Sequence, residues 1–167
     1  NLSAILRPKV KHAVRELVEA AGIDVSDWAI DRNGVAINNP NQNIYRSFKW
    51  SFGGSGEPIA LCIWHEDIDW TSSPPTLTGN TKSQQDDLNA LADKAISTDV
   101  RSRLGIKIRR TRDFQNAIYE AYSKRLPVRI ILVEGKHTDI IDAATDSSKV
   151  NFRELDAVPW YPHAFDP

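Results

Sequence analysis

Apolar residues recur every three to four positions near the start of the chain. Val10, Ala13, Val14, Leu17, Val18 and Ala21 share one face and predict a helix over 8–21. Pro8 suits its first turn and Gly22 its stop. The same period returns in Leu88, Leu91, Ala92, Ala95 and Ile96, predicting a helix over 83–97. It returns again in Phe114, Ala117, Ile118, Ala121 and Tyr122, predicting one over 112–124 capped by Thr111. Between these helices the pattern shortens. Trp28–Ile30 and Val35–Ile37 flank Asp31-Arg-Asn-Gly34 as short strands around a turn. Tyr45, Phe48, Trp50 and Phe52 mark an aromatic strand ahead of the flexible turn Gly53-Gly-Ser-Gly56. Unbroken apolar runs at Pro58–Trp64 and Pro127–Val133 predict buried strands, the second of them central. Val150–Leu155 alternates like a strand with one wet face, and His137–Ala144 reads as a short helix or turn. Residues 71–81, with Pro74-Pro75, form an exposed loop. Helices and strands mix without regular alternation, so the expected fold is α+β: one domain, a mixed or antiparallel curved sheet, and three to four helices around it.

Composition narrows the class. The chain has 167 residues, 41% hydrophobic and 26% charged, which suits one globular domain. No run approaches the ~18 apolar residues of a membrane span, and no signal-peptide pattern opens the chain. The single cysteine, Cys62, excludes an internal disulfide and fits a reducing cytoplasm; inside IALCIW it is expected in the core. The start at Asn1 without methionine and the stop at FDP suggest a domain of a longer protein.

Charge changes the picture more. The sum is only -1. Yet Arg101, Arg103, Lys107, Arg109, Arg110, Arg112, Lys124 and Arg125 crowd residues 101–125 against Asp113 and Glu120. Residues 61–99 carry the opposite excess. Such sorting is the footprint of an anionic polymer, nucleic acid first, or a basic face paired with those acids. Ile106 and Ile108 alternate with Lys107 and Arg109, suggesting an extended arm that enters the third helix. Arg110 and Arg112 would then flank a helix N-terminus, where free N–H groups favour phosphate.

Other clusters carry weaker chemistry. Arg46-Ser-Phe-Lys-Trp-Ser-Phe52 alternates basic and aromatic residues, as a groove-entering hairpin or as a strand whose aromatics face the core. His65-Glu-Asp-Ile-Asp69 offers metal ligands without a standard spacing, and fits a strand end and turn as well. Glu134-Gly-Lys136 resembles half of an Asp…Glu-x-Lys nuclease core. Trp50, Trp64 and Trp160 could wall a pocket for an everted base. Val158-Pro-Trp-Tyr-Pro-His-Ala-Phe165 is a stiff apolar strip that is either a recognition patch or a strap on the core.

Four segments, KWSFG…PIALCIWHEDI, RTRDFQNAIYEAY, LPVRIILVEG and LDAVPWYPHAFD, resemble in their order the DNA sulfur-binding domains of modification-dependent (type IV) restriction endonucleases. Those proteins usually carry an HNH nuclease domain elsewhere in the chain. The likeness covers most of 8–166. It implies a cytoplasmic defence protein whose partner is double-stranded DNA bearing phosphorothioate linkages, read by a domain with no catalysis and no cofactor of its own. It implies an apolar cup for sulfur from Tyr161, Pro162 and Ala164, with His163 beside it. It implies a phosphate-holding base at Arg109, Arg110 or Arg112. Arg46, Lys49, Trp50 and Ser51, together with His163, are the expected DNA-contacting or base-reading positions. The alternatives are a metal-dependent nuclease using Glu134, Lys136 and an acid from 66–69, or a reader of another DNA or RNA modification.

Overall fold

The computed structural model describes residues 1–95, 97–137 and 149–166. Over these described residues the fold is α+β, with five helices and a four-stranded mixed sheet. The strands are β1 (Ser51–Gly54), β2 (Glu57–Trp64), β3 (Val128–Lys136) and β4 (Lys149–Leu155), ordered β1-β2-β3-β4. β1 and β2 form an antiparallel hairpin, β2 and β3 run parallel, and β3 and β4 are antiparallel. The parallel pair needs a crossover. It is supplied by α4 (Thr81–Lys94) and α5 (Thr98–Lys124). The remaining helices are α1 (Leu2–Leu6), α2 (Val14–Ala20) and α3 (Ile44–Ser47).

β2 and β3 are buried on both faces, which accounts for their unbroken apolar runs. Ala60, Cys62, Trp64, Ile131 and Val133 pack with α2, Trp28 and Phe52 on one face. Ile59, Leu61, Ile63, Ile130 and Leu132 pack with Phe114, Ala117, Ile118 and Ala121 of α5 on the other. A smaller cluster around Leu88 and Leu104 joins α4 to the first half of α5. Gly53 lets the hairpin close, because a Cβ there would lie 1.8 Å from the Pro58 carbonyl oxygen.

Several expected elements differ. The helix expected over 8–21 is α2, which starts at Val14 because Val10 and Lys11 lie along β4: Arg153 N–H donates to the Val10 carbonyl at 2.9 Å. The expected strands around Asp31 shrink to one bridge, Ile30 with Ala36, since Ser26–Ala29 forms a helical turn. The turn itself holds, with the Asp31 carboxylate accepting from the N–H groups of Asn33 and Val35. The aromatic strand is confined to Ser51–Gly54. Buried Asn43 caps α3 through the Tyr45 N–H and ties it to the Trp28 and Ile30 carbonyls. The helix expected over 83–97 spans Thr81–Lys94, and Ile96 lies outside the described residues. The turn or helix expected at His137–Ala144 falls almost wholly outside them too.

The largest correction concerns 101–124. There is no extended arm and no cap at Thr111; α5 runs unbroken through 27 residues. Thr111 is buried mid-helix, its hydroxyl donating to the Lys107 carbonyl at 3.0 Å, so it needs no turn to satisfy it.

Candidate nucleic-acid interface

One continuous helix distributes the basic residues by angle rather than by sequence distance. Lys107 and Arg110, three residues apart, point into a cleft. Arg109 and Arg112 project from the other half of the helix into solvent. Tyr119 lies two turns beyond Arg112 on that same half, about 10 Å along the axis. Among the described residues no carboxylate pairs with Arg109, Arg110 or Arg112. Arg101 has a different task, donating to the Ala95 carbonyl that ends α4 at 2.9 Å.

The C-terminal strip is a strap fastened at both ends. Trp160 exchanges two backbone hydrogen bonds with Val128, of 2.7 and 2.8 Å, at the first residue of β3. Its indole N–H donates to the buried Asp156 carboxylate at 2.9 Å. At the other end Phe165 packs on Tyr119 and Tyr122 of α5, ring centres 5.3 and 6.3 Å away. Between these fastenings Tyr161 is 57% exposed, His163 and Ala164 are exposed and Pro162 is half-buried. The strap therefore offers an apolar surface beside the solvent-facing half of α5 that carries Arg109 and Arg112.

The cleft is a separate place. It opens beyond the carboxyl ends of the parallel strands, where open sheets with parallel strands commonly hold ligands. Its volume is about 820 Å³. Its walls are Phe48, Lys49 and Trp50, the segment 77–81, the middle of α5, and Lys149 and Arg153 of β4. Trp64 is sandwiched there between Trp50 at 5.4 Å and a stacked His137 at 4.7 Å. Arg110 lies over the Phe48 ring at 5.9 Å. Burial lowers its pKa from the ordinary guanidinium value, as does its neighbour Arg109. Burial likewise lowers that of Arg153.

The expected site residues thus divide. Tyr161, Pro162, His163 and Ala164 lie on the strap, whose Phe165 packs on Tyr119 of α5, seven residues beyond Arg112. Arg110, Lys49 and Trp50 belong to the cleft, and the strap does not line it. The strap meets β3 at Val128 and the cleft meets it at Val133, about 16 Å further along the strand. Arg46 is ion-paired with Asp27 at 2.7 Å. Ser51 is a half-buried strand position opposite Leu61. Of the aromatics, Phe52 is core against Trp28, Trp50 packs partly on the core, and Phe48 is 55% exposed. Trp50 and Trp64 meet, while Trp160 packs on the opposite face of the sheet.

The metal-ligand cluster also regroups. His65 is buried, donates from Nε2 to the Ser3 carbonyl at 2.8 Å and stacks on Trp70, so it holds α1 down. Asp69 closes a turn by accepting from Thr71. Glu66 and Asp67 instead face His137, whose Nδ1 is 3.6 Å from each carboxylate. These three ligand atoms lie within 4.8 Å of one another. Partial burial raises the Asp67 pKa, against the pull of His137. His137 escaped sequence reasoning because parallel register, not spacing, sets the end of β3 beside the end of β2. Glu134 is ion-paired with the Arg7 guanidinium.

Comparison with known proteins returns nothing: no family model, no curated protein and no solved structure matches the chain. Among the described residues no helix is long and apolar enough to cross a membrane.

Proposed function

We propose that this chain is a DNA-binding module that reads phosphorothioate linkages in duplex DNA and directs a nuclease domain carried elsewhere in a longer protein. The observation that carries the proposal is the strap Tyr161–Ala164, fastened to α5 through Phe165, together with Arg109 and Arg112 of that helix, with which no carboxylate of the described residues pairs. Sulfur in place of a non-bridging oxygen is larger, more polarizable and a poorer hydrogen-bond acceptor. An apolar surface accepts it readily. The same surface leaves oxygen dehydrated and unpaired, a penalty of about 1–3 kcal/mol. Arg109 and Arg112 hold flanking phosphates through charge-assisted hydrogen bonds that carry no sequence information. The strap is held at Trp160 and Phe165 before DNA arrives, so little conformational entropy is lost on binding.

The test is fluorescence anisotropy at ~0.1 M salt with duplexes identical except for one phosphorothioate. A preference of about tenfold, or 1.4 kcal/mol, that Pro162→Glu removes supports the proposal. Equal binding of both duplexes by the parent protein refutes it.

One observation favours a second reading. Glu66, Asp67 and His137 could hold a divalent cation at the rim of a cationic cleft, as a metal-dependent nuclease would require. Glu134, paired with Arg7, would have no part in it. DNA cleavage with Mg²⁺ or Mn²⁺, abolished by Asp67→Asn, would replace the binding proposal with this one.

A further inference from the structure

The cleft is not explained by duplex recognition on the far side of α5. It gathers Lys49, Lys107, Arg110, Lys149 and Arg153 against a single lining carboxylate, Asp67. Among the described residues no carboxylate pairs with Lys49, Arg110, Lys149 or Arg153. Two of these, Arg110 and Arg153, are half-buried guanidinium groups already stripped of part of their water. Desolvated cations with no carboxylate partner among the described residues favour an entering anion.

The anion has a shape. Trp64 packs against Trp50 and His137, and of the other aromatic walls, Phe48, Trp50 and Phe114, Phe48 is the most exposed, with Arg110 over its ring at 5.9 Å. Flat apolar walls beside cations suit a planar heterocycle joined to a phosphate. The hydroxyl of Thr81 and the amide of Gln84 at the start of α4 can meet the polar edge of a base. About 820 Å³ admits one nucleotide comfortably and cannot admit a duplex.

We infer that the cleft is a second ligand site, for a nucleoside phosphate, with the phosphate on Arg110 and Lys49 and the base against Phe48 and Trp50. The ligand is either a free mononucleotide or one nucleotide of a single-stranded segment. It is independent of the strap and of Arg109 and Arg112.

Isothermal titration of the whole chain with mononucleotides, a short single-stranded oligonucleotide and inorganic phosphate tests this. A mononucleotide should bind at least tenfold more tightly than inorganic phosphate. Phe48→Ala and Lys49→Gln, both surface changes, should each weaken it at least threefold, and Arg110→Gln at least tenfold. Arg112→Ala and Pro162→Glu should leave it unchanged. Binding of the oligonucleotide alone, with the same dependence on Phe48 and Arg110, assigns the site to a strand instead of a free nucleotide. Inorganic phosphate binding as tightly as nucleotides, or no nucleotide or oligonucleotide binding at millimolar concentration, overturns the inference. Because the discriminating variants avoid the strap, loss of this site leaves the phosphorothioate preference readable, and the reverse.

Discussion

Asp156 is the side chain on which the strap depends. Its Oδ2 accepts the Trp160 indole N–H at 2.9 Å and its Oδ1 accepts the Val158 N–H at 3.0 Å. Its backbone contacts, N–H to the Ile130 carbonyl and carbonyl to Arg129, do not involve the side chain. Asp156→Ala therefore deletes two acceptors and nothing else that is polar. A hydrogen bond to a carboxylate contributes about 1.5–3 kcal/mol. The two bonds share one group, and a loosened strap can turn its freed N–H groups to water, so the full sum is not reached. The expected loss is about 2–3 kcal/mol in urea-unfolding stability. Asp156→Asn, which keeps one acceptor and offers a donor in place of the other, should fall between. Asp156→Ala should also lower phosphorothioate preference at least threefold under conditions where the protein stays folded, because the Trp160 end of the strap is then held by its two backbone bonds to Val128 alone. A loss below about 0.5 kcal/mol, the size of an ordinary surface change, would refute the structural argument. Full stability loss with sulfur preference intact would refute the assignment of the strap as reader.

Other consequences can be measured directly. Arg112→Ala and Arg109→Ala should each weaken modified and unmodified duplexes alike and reduce the slope of log K against log salt by about 1. Burial pushes the Cys62 thiol up to about 12, so iodoacetamide at pH 8.5 should label it only as fast as the protein unfolds, and urea should speed the reaction. The unfolded thiol ionises near pH 8.5. Stability should therefore be fully retained below that pH and fall as pH rises toward 12, a fall that Cys62→Ala removes. The Glu120 carboxylate accepts from the Ser55 N–H at 2.8 Å and from Lys124, which hold its pKa below the usual carboxylate value. That exposed contact, worth about 1 kcal/mol or less, should be present at neutral pH and lost as pH falls through the lowered value. Glu120→Gln should flatten that part of the acid limb in a pH series of urea midpoints.

What could be read from residue order alone is what local periodicity decides. The runs at 58–64 and 127–133 are strands because both of their faces are apolar, and no tertiary fact is needed to see it. Cys62 follows from its neighbours in the same way. The misread stretches are those where a distant group decides the backbone. Residues 8–13 look helical, yet their main chain lies along β4, which only the folded sheet can offer. Residues 44–47 look extended, yet Asn43 caps them while holding two carbonyls thirteen and fifteen residues back. In 104–111, Leu104, Ile108 and Thr111 carry helical spacing, but the alternation of Ile106 and Ile108 with Lys107 and Arg109 matches a strand equally well. The decision falls to Leu88 and its neighbours on α4, against which Leu104 is fully buried.

That one decision rearranges the chemistry. With an arm that broke at Thr111, Arg109, Arg110 and Arg112 would compete for a single phosphate beside a helix N-terminus. In a continuous helix they cannot, since neighbours in sequence are turned about 100° apart. Arg110 goes to an aromatic cleft with Lys49, and Arg109 and Arg112 go to the surface with the strap. On the two proposals above, the charge sorting along the chain serves two anionic ligands on opposite sides of α5. A single-site reader predicts that removing either set of cations weakens the same ligand. The two-sided helix predicts the opposite: Arg110→Gln and Arg112→Ala should affect different ligands, so that for each ligand the double variant binds as the one single variant that touches its site.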